Sequence, residues 1–422
     1  MRRLLFCVLA AMLTSAASLH AANVLREVNK IIKNARYQEK NDEARKVSQQ
    51  LADAEKKLLE AIPAEKKESR RATLYHTAAK VQMRYNTIEN EKIYLKRAYD
   101  TAVYYNSIYK TYQYLFQCDS VERLAMGSRK PSHAKSSRKL LLYYRRNLLN
   151  ACRHYMHTRN YSEAYRYLDL YVSSAHNSLL AADSLHVYDT AYVKAAYWAT
   201  TSAYRIGNYQ GVIRHAQDAL RYPKHREYVQ EYLCRSYQAI NDTVGMVGAL
   251  RRGATYYPDY YYFYTNLLAY YQQHTDYESA LRCSQLMIDY DPRQLVFWYG
   301  KASTYLLMRD YKNCIRHADV ALLIDSTHVE SNFACGVAYC ALARQENTRM
   351  KSCAVGSADY RRCRENMLSC YANARKPLET MRALCPDAVT RWAPLLYQVY
   401  LNLNMGHEFD EMDKLMRHAA IQ

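Results

Sequence analysis

The chain has 422 residues, of which 44 are Tyr and only 10 Gly and 8 Pro, and its 59 Lys and Arg against 40 Asp and Glu give a formal net charge of +19. Gly and Pro each make up about 2% of the chain, where roughly 7% and 5% are usual; this is too few for the tight turns of an all-β sandwich or barrel and for the clustered glycines of a Rossmann-type phosphate loop. Half of the residues are apolar and the mean hydropathy is −0.47, which fits a folded soluble protein rather than a disordered one, and the length suits two or three domains or one long repeat array.

The N-terminus reads as a secretory signal peptide over residues 1–22. Met1-Arg2-Arg3 precedes an apolar run from Leu4 to Ala17 and the small residues Ser15–Ala22, with cleavage expected near Ala21 or Ala22. The run is too short for a comfortable bilayer span, and no later segment is apolar enough to replace it. The expectation is an exported protein of the periplasm or cell envelope, with secretion as a variant and an uncleaved anchor as the alternative.

Beyond it, apolar residues recur at three- and four-residue steps. Val47, Leu51, Ala54 and Leu58 mark one helical stripe that Pro63 ends. Helices are expected near 23–36, 40–62, 67–85 and 89–117, within an N-terminal helical region of residues 23–126. Residues 127–137, rich in Ser, Lys, Gly and Pro, read as a basic polar loop. It lies in a basic stretch, Lys110–Arg159, where eleven Lys and Arg face only Asp119 and Glu122. Arg129, Lys130, Lys135, Arg138, Lys139, Arg145 and Arg146 are its expected basic surface. Export argues against nucleic acid as the partner and for an anionic envelope component or an acidic protein; a solvated basic face is the plainer reading.

A repeat dominates the later part of the chain. Asn208-Tyr209-Gln-Gly-Val-Ile213 resembles Asp276-Tyr277-Glu-Ser-Ala-Leu281 and Asp310-Tyr311-Lys-Asn-Cys-Ile315, and Asn241-Asp242-Thr243 supplies the missing turn. The period is 34 residues. Tyr237, Tyr271 and Tyr305 lie six before the turn residue, Pro258 and Pro292 fifteen after it, and Ala219 and Ala321 ten after it. Such a period marks a stacked supersecondary unit.

This pattern resembles the tetratricopeptide repeat family, whose unit is a 34-residue helix–turn–helix. Trp298 and Tyr305, then Tyr264, Leu267 and Tyr271, fit its first helix, and Ala280 fits the small position of its second. Its first-helix Gly is replaced by Cys234, Leu268 and Ala302 but present as Gly336; the turn Gly207 gives way to Thr275 and Arg309. The resemblance implies an all-α, right-handed superhelical solenoid of antiparallel helix pairs. Repeats are expected over 138–345, clearest over 190–330, with an insertion at Ser173–Leu185, a second insertion loop over 346–358, and C-terminal helical repeats over 359–422. Small residues (Ala203, Ala219, Ala280, Ala302) would let helices approach, and large tyrosines would fill the gaps.

By the same resemblance the first helices line a concave groove. Lys194, Tyr197, Thr201, Arg205, Tyr228, Glu231, Arg235, Gln238, Tyr262, Thr265, Gln272, Tyr299 and Ser303 would face it and bind a protein or peptide. The Tyr-rich run 256–264 adds recognition area, although inter-helix packing accounts for many of these rings. The alternative is a glycan- or anionic-surface-binding module. No GxSxG, HExxH, Walker or GxGxxG motif occurs, so an enzyme and a cofactor are not expected. Most cysteines sit in helical apolar patterns and read as packing residues. Cys353 and Cys363 are the expected disulfide, if one forms. No Cys/His spacing suggests a structural zinc site; His154 and His157 beside Cys152 have a spacing common by chance.

Overall fold

The structure, a computed structural model, describes residues 19–126 and 131–419. Among the described residues the regular elements are all helical. Residues 19–34 form α1. It is followed by α2 (Asn41–Ala64), α3 (Glu68–Tyr94), α4 (Thr101–Met126), α5 (Ala134–His157), α6 (Tyr161–Ser174), a short α7 (Leu185–Tyr188), α8 (Tyr192–Arg205), α9 (Tyr209–Ala219) and α10 (Arg226–Ala239). Then come α11 (Thr243–Tyr256), α12 (Tyr262–Gln273), α13 (Tyr277–Tyr290), α14 (Leu295–Leu307), α15 (Tyr311–Ile324), α16 (Val329–Lys351), α17 (Ala358–Leu384), α18 (Val389–Asn402) and α19 (Gly406–Ala419). The chain divides into two compact units after Met246, within α11. No described helix is long and apolar enough to cross a membrane.

Residues 1–18, the bulk of the expected signal peptide, lie outside the described residues. The expected cleavage site falls in α1, whose Ala21, Val24 and Val28 are buried against Leu51, Ala54 and Leu58 of α2 and Leu74, Ala78 and Val81 of α3. The α2 stripe read from the sequence is therefore the buried face; each fully buried leucine contributes about 2 kcal/mol. The break expected near residues 86–88 is absent. α3 runs on to Tyr94, and the chain turns at Lys96, whose φ is 56°.

The 34-residue period is a period of backbone turns. At Gly207, Asn241, Thr275 and Arg309, each 34 residues after the last, and at Arg159, 48 residues before Gly207, the chain enters the left-handed region, with φ between 57° and 72°. The next residue caps the following helix through its side chain. Asn160, Asn208, Asp242, Asp276 and Asp310 each accept from the backbone N–H three residues on, at 2.8–3.2 Å. The capping residue's own N–H returns to the carbonyl five residues back, which is Tyr155, Ala203, Tyr237, Tyr271 or Tyr305, at 2.8–2.9 Å. That is the helix-ending motif in which a left-handed residue satisfies the last carbonyls. The periodic tyrosines Tyr237, Tyr271 and Tyr305 thus stand at the ends of α10, α12 and α14. Asn404, with φ 57°, repeats the geometry between α18 and α19, where the Met405 N–H returns to Tyr400.

Close helix approach needs small residues, and Ala203, Ala219, Ala280 and Ala302 are all fully buried. Gly300 is the tightest case, because a Cβ there would lie 2.0 Å from Tyr264 Oη. In the second unit, Trp392, Leu396 and Tyr400 of α18 join Met367, Tyr371 and Leu378 of α17 and Met412 of α19 in one core. Two expected loops are shorter than read. Residues 346–351 continue α16, so the 346–358 insertion lengthens a helical hairpin and leaves only residues 352–357 between its arms. Residues 134–137 of the expected 127–137 loop are the first turn of α5.

Candidate functional site

In the first unit, α5, α6 and α8 enclose a cleft of about 650 Å³. Leu149 and Met156 of α5, Leu168 of α6 and Trp198 of α8 form its apolar wall; Arg153, Arg159 and Lys194 supply its charge, His157 stands beside them, and no Asp or Glu lines it. Arg153, His157, Arg159 and Lys194 are exposed, and none makes an ion pair among the described residues. Cys152 lies in the wall as a buried thiol pushed up to about 12 by desolvation. Arg205 extends over the ring of Tyr161, another lining residue, at 4.6 Å.

A larger cavity of about 960 Å³ between α2, α3 and α4 differs in kind. It carries three carboxylates, Glu55, Glu89 and Asp100, and two of its cations are held by them: Lys110 donates to Glu55 at 2.9 Å and Lys92 to Glu89 at 2.6 Å. Those carboxylates repel an anionic ligand, whereas the α5–α8 cleft is lined by none.

Lys194 is the expected groove residue that lines this cleft. Tyr197, one turn on, belongs to an aromatic cluster: its ring lies 5.1 Å from Trp198, 5.2 Å from Tyr222 and 6.2 Å from His225, and His225 lies 5.8 Å from Tyr228. Tyr228 is 42% exposed. Arg235 pairs with Glu231 one turn before it at 2.6 Å, and Gln238 is exposed. Thr201 corrects the expectation: it is buried, and its hydroxyl donates back to the Tyr197 carbonyl at 2.9 Å, so it faces the stack rather than a groove.

In the second unit, Gln272 Nε2 donates to Ser303 Oγ and Thr304 Oγ1, both at 3.0 Å. Gln272 and Ser303 therefore satisfy each other between α12 and α14. Tyr299 is half-buried edge-on to His328 at 5.2 Å, and burial raises its hydroxyl pKa. Tyr262 is half-buried and Thr265 exposed. The Tyr-rich run splits by position: Tyr264 is buried in the α12–α14 contact, and Tyr256 is 71% exposed.

The basic surface also needs correction. Lys135, Arg138, Lys139 and Arg146 are exposed, with Arg138 paired to Asp183; Arg129 and Lys130 lie outside the described residues. Arg145 is buried: its Nε donates to Asp189 at 2.9 Å and its Nη1 to the Tyr171 carbonyl and Ser174 Oγ. Cys353 and Cys363 are neighbouring free thiols, not a disulfide. Burial raises Cys363, and the adjacent Cys353 thiol raises it further. His154 is half-buried against Tyr105 and Tyr155, and His157 points into solvent at the cleft. Reading from the sequence missed Arg153, Met156, Arg159 and Trp198 as site residues. The first three precede the first repeat turn at Asn160, so the groove positions inferred from the clear repeats did not reach them.

No family model matches the chain, and no curated protein matches it by sequence. Solved structures that it resembles include yeast Tom70 (13% identity, TM-score 0.30, covering 88% of this chain and 64% of that one). Others are the human IFIT1 dimer with m7Gppp-AAAA (13%, 0.26, 94% and 95%) and the P58(IPK) TPR domain (11%, 0.23, 88% and 98%). The chain thus spans about two-thirds of the length of Tom70.

Proposed function

We propose that this chain, a stack of tetratricopeptide-type helix pairs, is a non-catalytic scaffold whose α5–α8 cleft holds a segment of a partner protein bearing carboxylates beside an apolar side chain. The observation that carries this reading is the apolar wall of Leu149, Met156, Leu168 and Trp198 set beneath cations that have no acidic partner. Covering that wall with one large apolar side chain contributes about 2 kcal/mol. Each exposed ion pair contributes about 0–1 kcal/mol, so the rim charges act mainly on encounter rate and choice of partner. The Tyr197–Trp198 contact extends the apolar surface along α8 toward Tyr222 and His225.

Fluorescence anisotropy with two labelled peptides tests the reading, one alternating Glu with Leu and the other alternating Gln with Leu. The Glu peptide is expected to bind, and the Arg153→Glu, Lys194→Glu double variant to weaken it at least about tenfold, or ~1.4 kcal/mol, at unchanged helicity. Equal binding of both peptides would refute it. Binding to anionic liposomes instead, lost in salt, would move the function to an envelope surface.

We also propose that the protein is exported to the periplasm or cell envelope, supported by Met1-Arg2-Arg3 and the apolar run after it. Mass spectrometry of the native protein is expected to find an N-terminus near Ala22; a cytosolic chain retaining residues 1–22 would reject it.

A further inference from the structure

Away from the cleft, three metal-ligating side chains converge where α4 and the start of α5 meet, and a fourth, His76 of α3, stands beside them. Cys118 and Glu122 stand one turn apart on one face of α4, His76 comes from α3, and His133 immediately precedes the first residue of α5. The Cys118 sulfur, a Glu122 carboxylate oxygen and a His133 ring nitrogen all lie within 4.8 Å of one another. The His76 ring rests on the His133 ring, with centroids 4.3 Å apart.

A purely structural network accounts for part of this cluster. Glu122 accepts from Ser132 Oγ and faces His133 Nδ1, each at 2.5 Å, and its other oxygen accepts from the His133 backbone N–H at 3.1 Å. That leaves His76 unexplained. Its side chain is only 8% exposed, and its Nε2 is buried with no hydrogen-bond partner. Polar atoms in such places almost always have partners. Cys118, whose sulfur belongs to the three-ligand group, is fully buried as well.

We propose that Cys118, Glu122 and His133 hold a zinc-type divalent cation, with the neighbouring unpartnered His76 ring turning to supply the fourth ligand, and that the ion fastens the start of α5 to the α3–α4 hairpin. The donor set is two imidazole nitrogens, one sulfur and one carboxylate oxygen, which suits tetrahedral zinc with bonds of about 2.0–2.3 Å. One thiolate and one carboxylate cancel the charge of the ion, so the loaded site is neutral in surroundings that exclude water. The thiol proton leaves to solvent as the sulfur binds. Ser132 Oγ and the His133 N–H already orient the carboxylate from behind. Since these residues come from α3, α4 and the position before α5, no linear spacing announces them.

The test uses the purified full-length chain, stripped with chelator and titrated with Zn²⁺ by calorimetry and with Co²⁺ by absorbance. One ion per chain is expected, with a thiolate-to-cobalt charge-transfer band and a rise in melting temperature on adding Zn²⁺. Cys118→Ser should abolish the band and weaken binding at least a hundredfold, with helicity followed by circular dichroism. His133→Gln, at the more exposed edge, carries the same expectation for affinity should Cys118→Ser fail to fold. Absence of stoichiometric binding by the native chain would overturn the site, as would binding and spectrum unchanged in either folded variant.

Discussion

The guanidinium of Arg145 sits over the ring of Tyr171, its central carbon 3.8 Å from the centroid. The Tyr171 hydroxyl and Arg145 Nε both donate to Asp189 Oδ2, at 2.5 and 2.9 Å. One carboxylate from the segment before α8 thus ties together side chains of α5 and α6. Arg145 is therefore part of the fold of the first unit and not of its charged exterior. Removing it would leave Asp189 without its cation, which costs about 3–5 kcal/mol for a buried pair. Arg145→Met should lower the unfolding free energy measured in urea by that amount, and Arg145→Lys should recover little, because an ammonium has no planar fork to reach Asp189 from above the ring. Arg146→Ala, on the exposed face, should change stability by less than about 0.5 kcal/mol.

The repeat turns offer a gain of stability. Thr275 and Arg309 hold φ values of 57° and 60°, a region that costs a residue with a Cβ about 1–2 kcal/mol. Glycine loses part of that advantage through its freer unfolded chain. Thr275→Gly and Arg309→Gly should each stabilise by about 0.5–1 kcal/mol, read as a higher melting temperature. Asp276→Ala, which deletes the cap on the Ser279 N–H, should cost about 1 kcal/mol.

Two helical glycines should respond in opposite directions. A methyl at Gly300 would meet Tyr264 Oη at 2.0 Å and Leu268 Cδ2 at 2.7 Å. Gly300→Ala should destabilise by about 1–3 kcal/mol through overpacking. At Gly248 the nearest atom would be Arg252 Nη1 at 3.7 Å, so Gly248→Ala should stabilise by up to about 1 kcal/mol from helix propensity. Chemical denaturation of the two variants side by side decides both.

Acid should loosen the second unit at a definable contact. Arg391 donates twice to Glu330, at 2.8 and 2.6 Å, and these bonds hold the Glu330 carboxyl below its ordinary range. A carboxyl lowered in the folded state contributes stability above its unfolded value, near 4.5, and loses it as pH falls through the lower folded value. The pair is about 40% exposed, so solvent screening limits the effect to about 1 kcal/mol. Between pH 7 and pH 3, Glu330→Gln should lose less stability than the native chain by about that amount; identical losses would show that the pair is silent.

How much the sequence disclosed depends on where the determinants lie. The 34-residue period was legible because each turn is built from neighbours: a capping Asn or Asp and, in all but the Gly207 turn, a tyrosine whose carbonyl closes the turn five residues away. Left-handed backbone at Thr275 and Arg309 was not, since neither residue type advertises it. Burial of Arg145 was hidden because its partner, Asp189, stands beyond an irregular connection, and basic neighbours made it look like surface. Thr201 was placed in a groove by its position in the repeat, but a threonine hydroxyl can bond back to its own helix and be buried there. The cleft was only partly legible: Lys194 lies within the clear repeats, whereas Arg153, Met156 and Arg159 come from the helix before them.

The turns closed by Arg159, Gly207, Asn241, Thr275, Arg309 and Asn404 also bear on how the chain folds. Each is sealed by backbone bonds that reach no more than five residues, so closing a hairpin sacrifices the freedom of only a short loop. Contacts this local favour fast folding, and neighbouring hairpins add their stabilities step by step. Within each unit, a substitution that opens one turn should therefore fray the hairpins beside it first, leaving more distant pairs protected in amide hydrogen exchange.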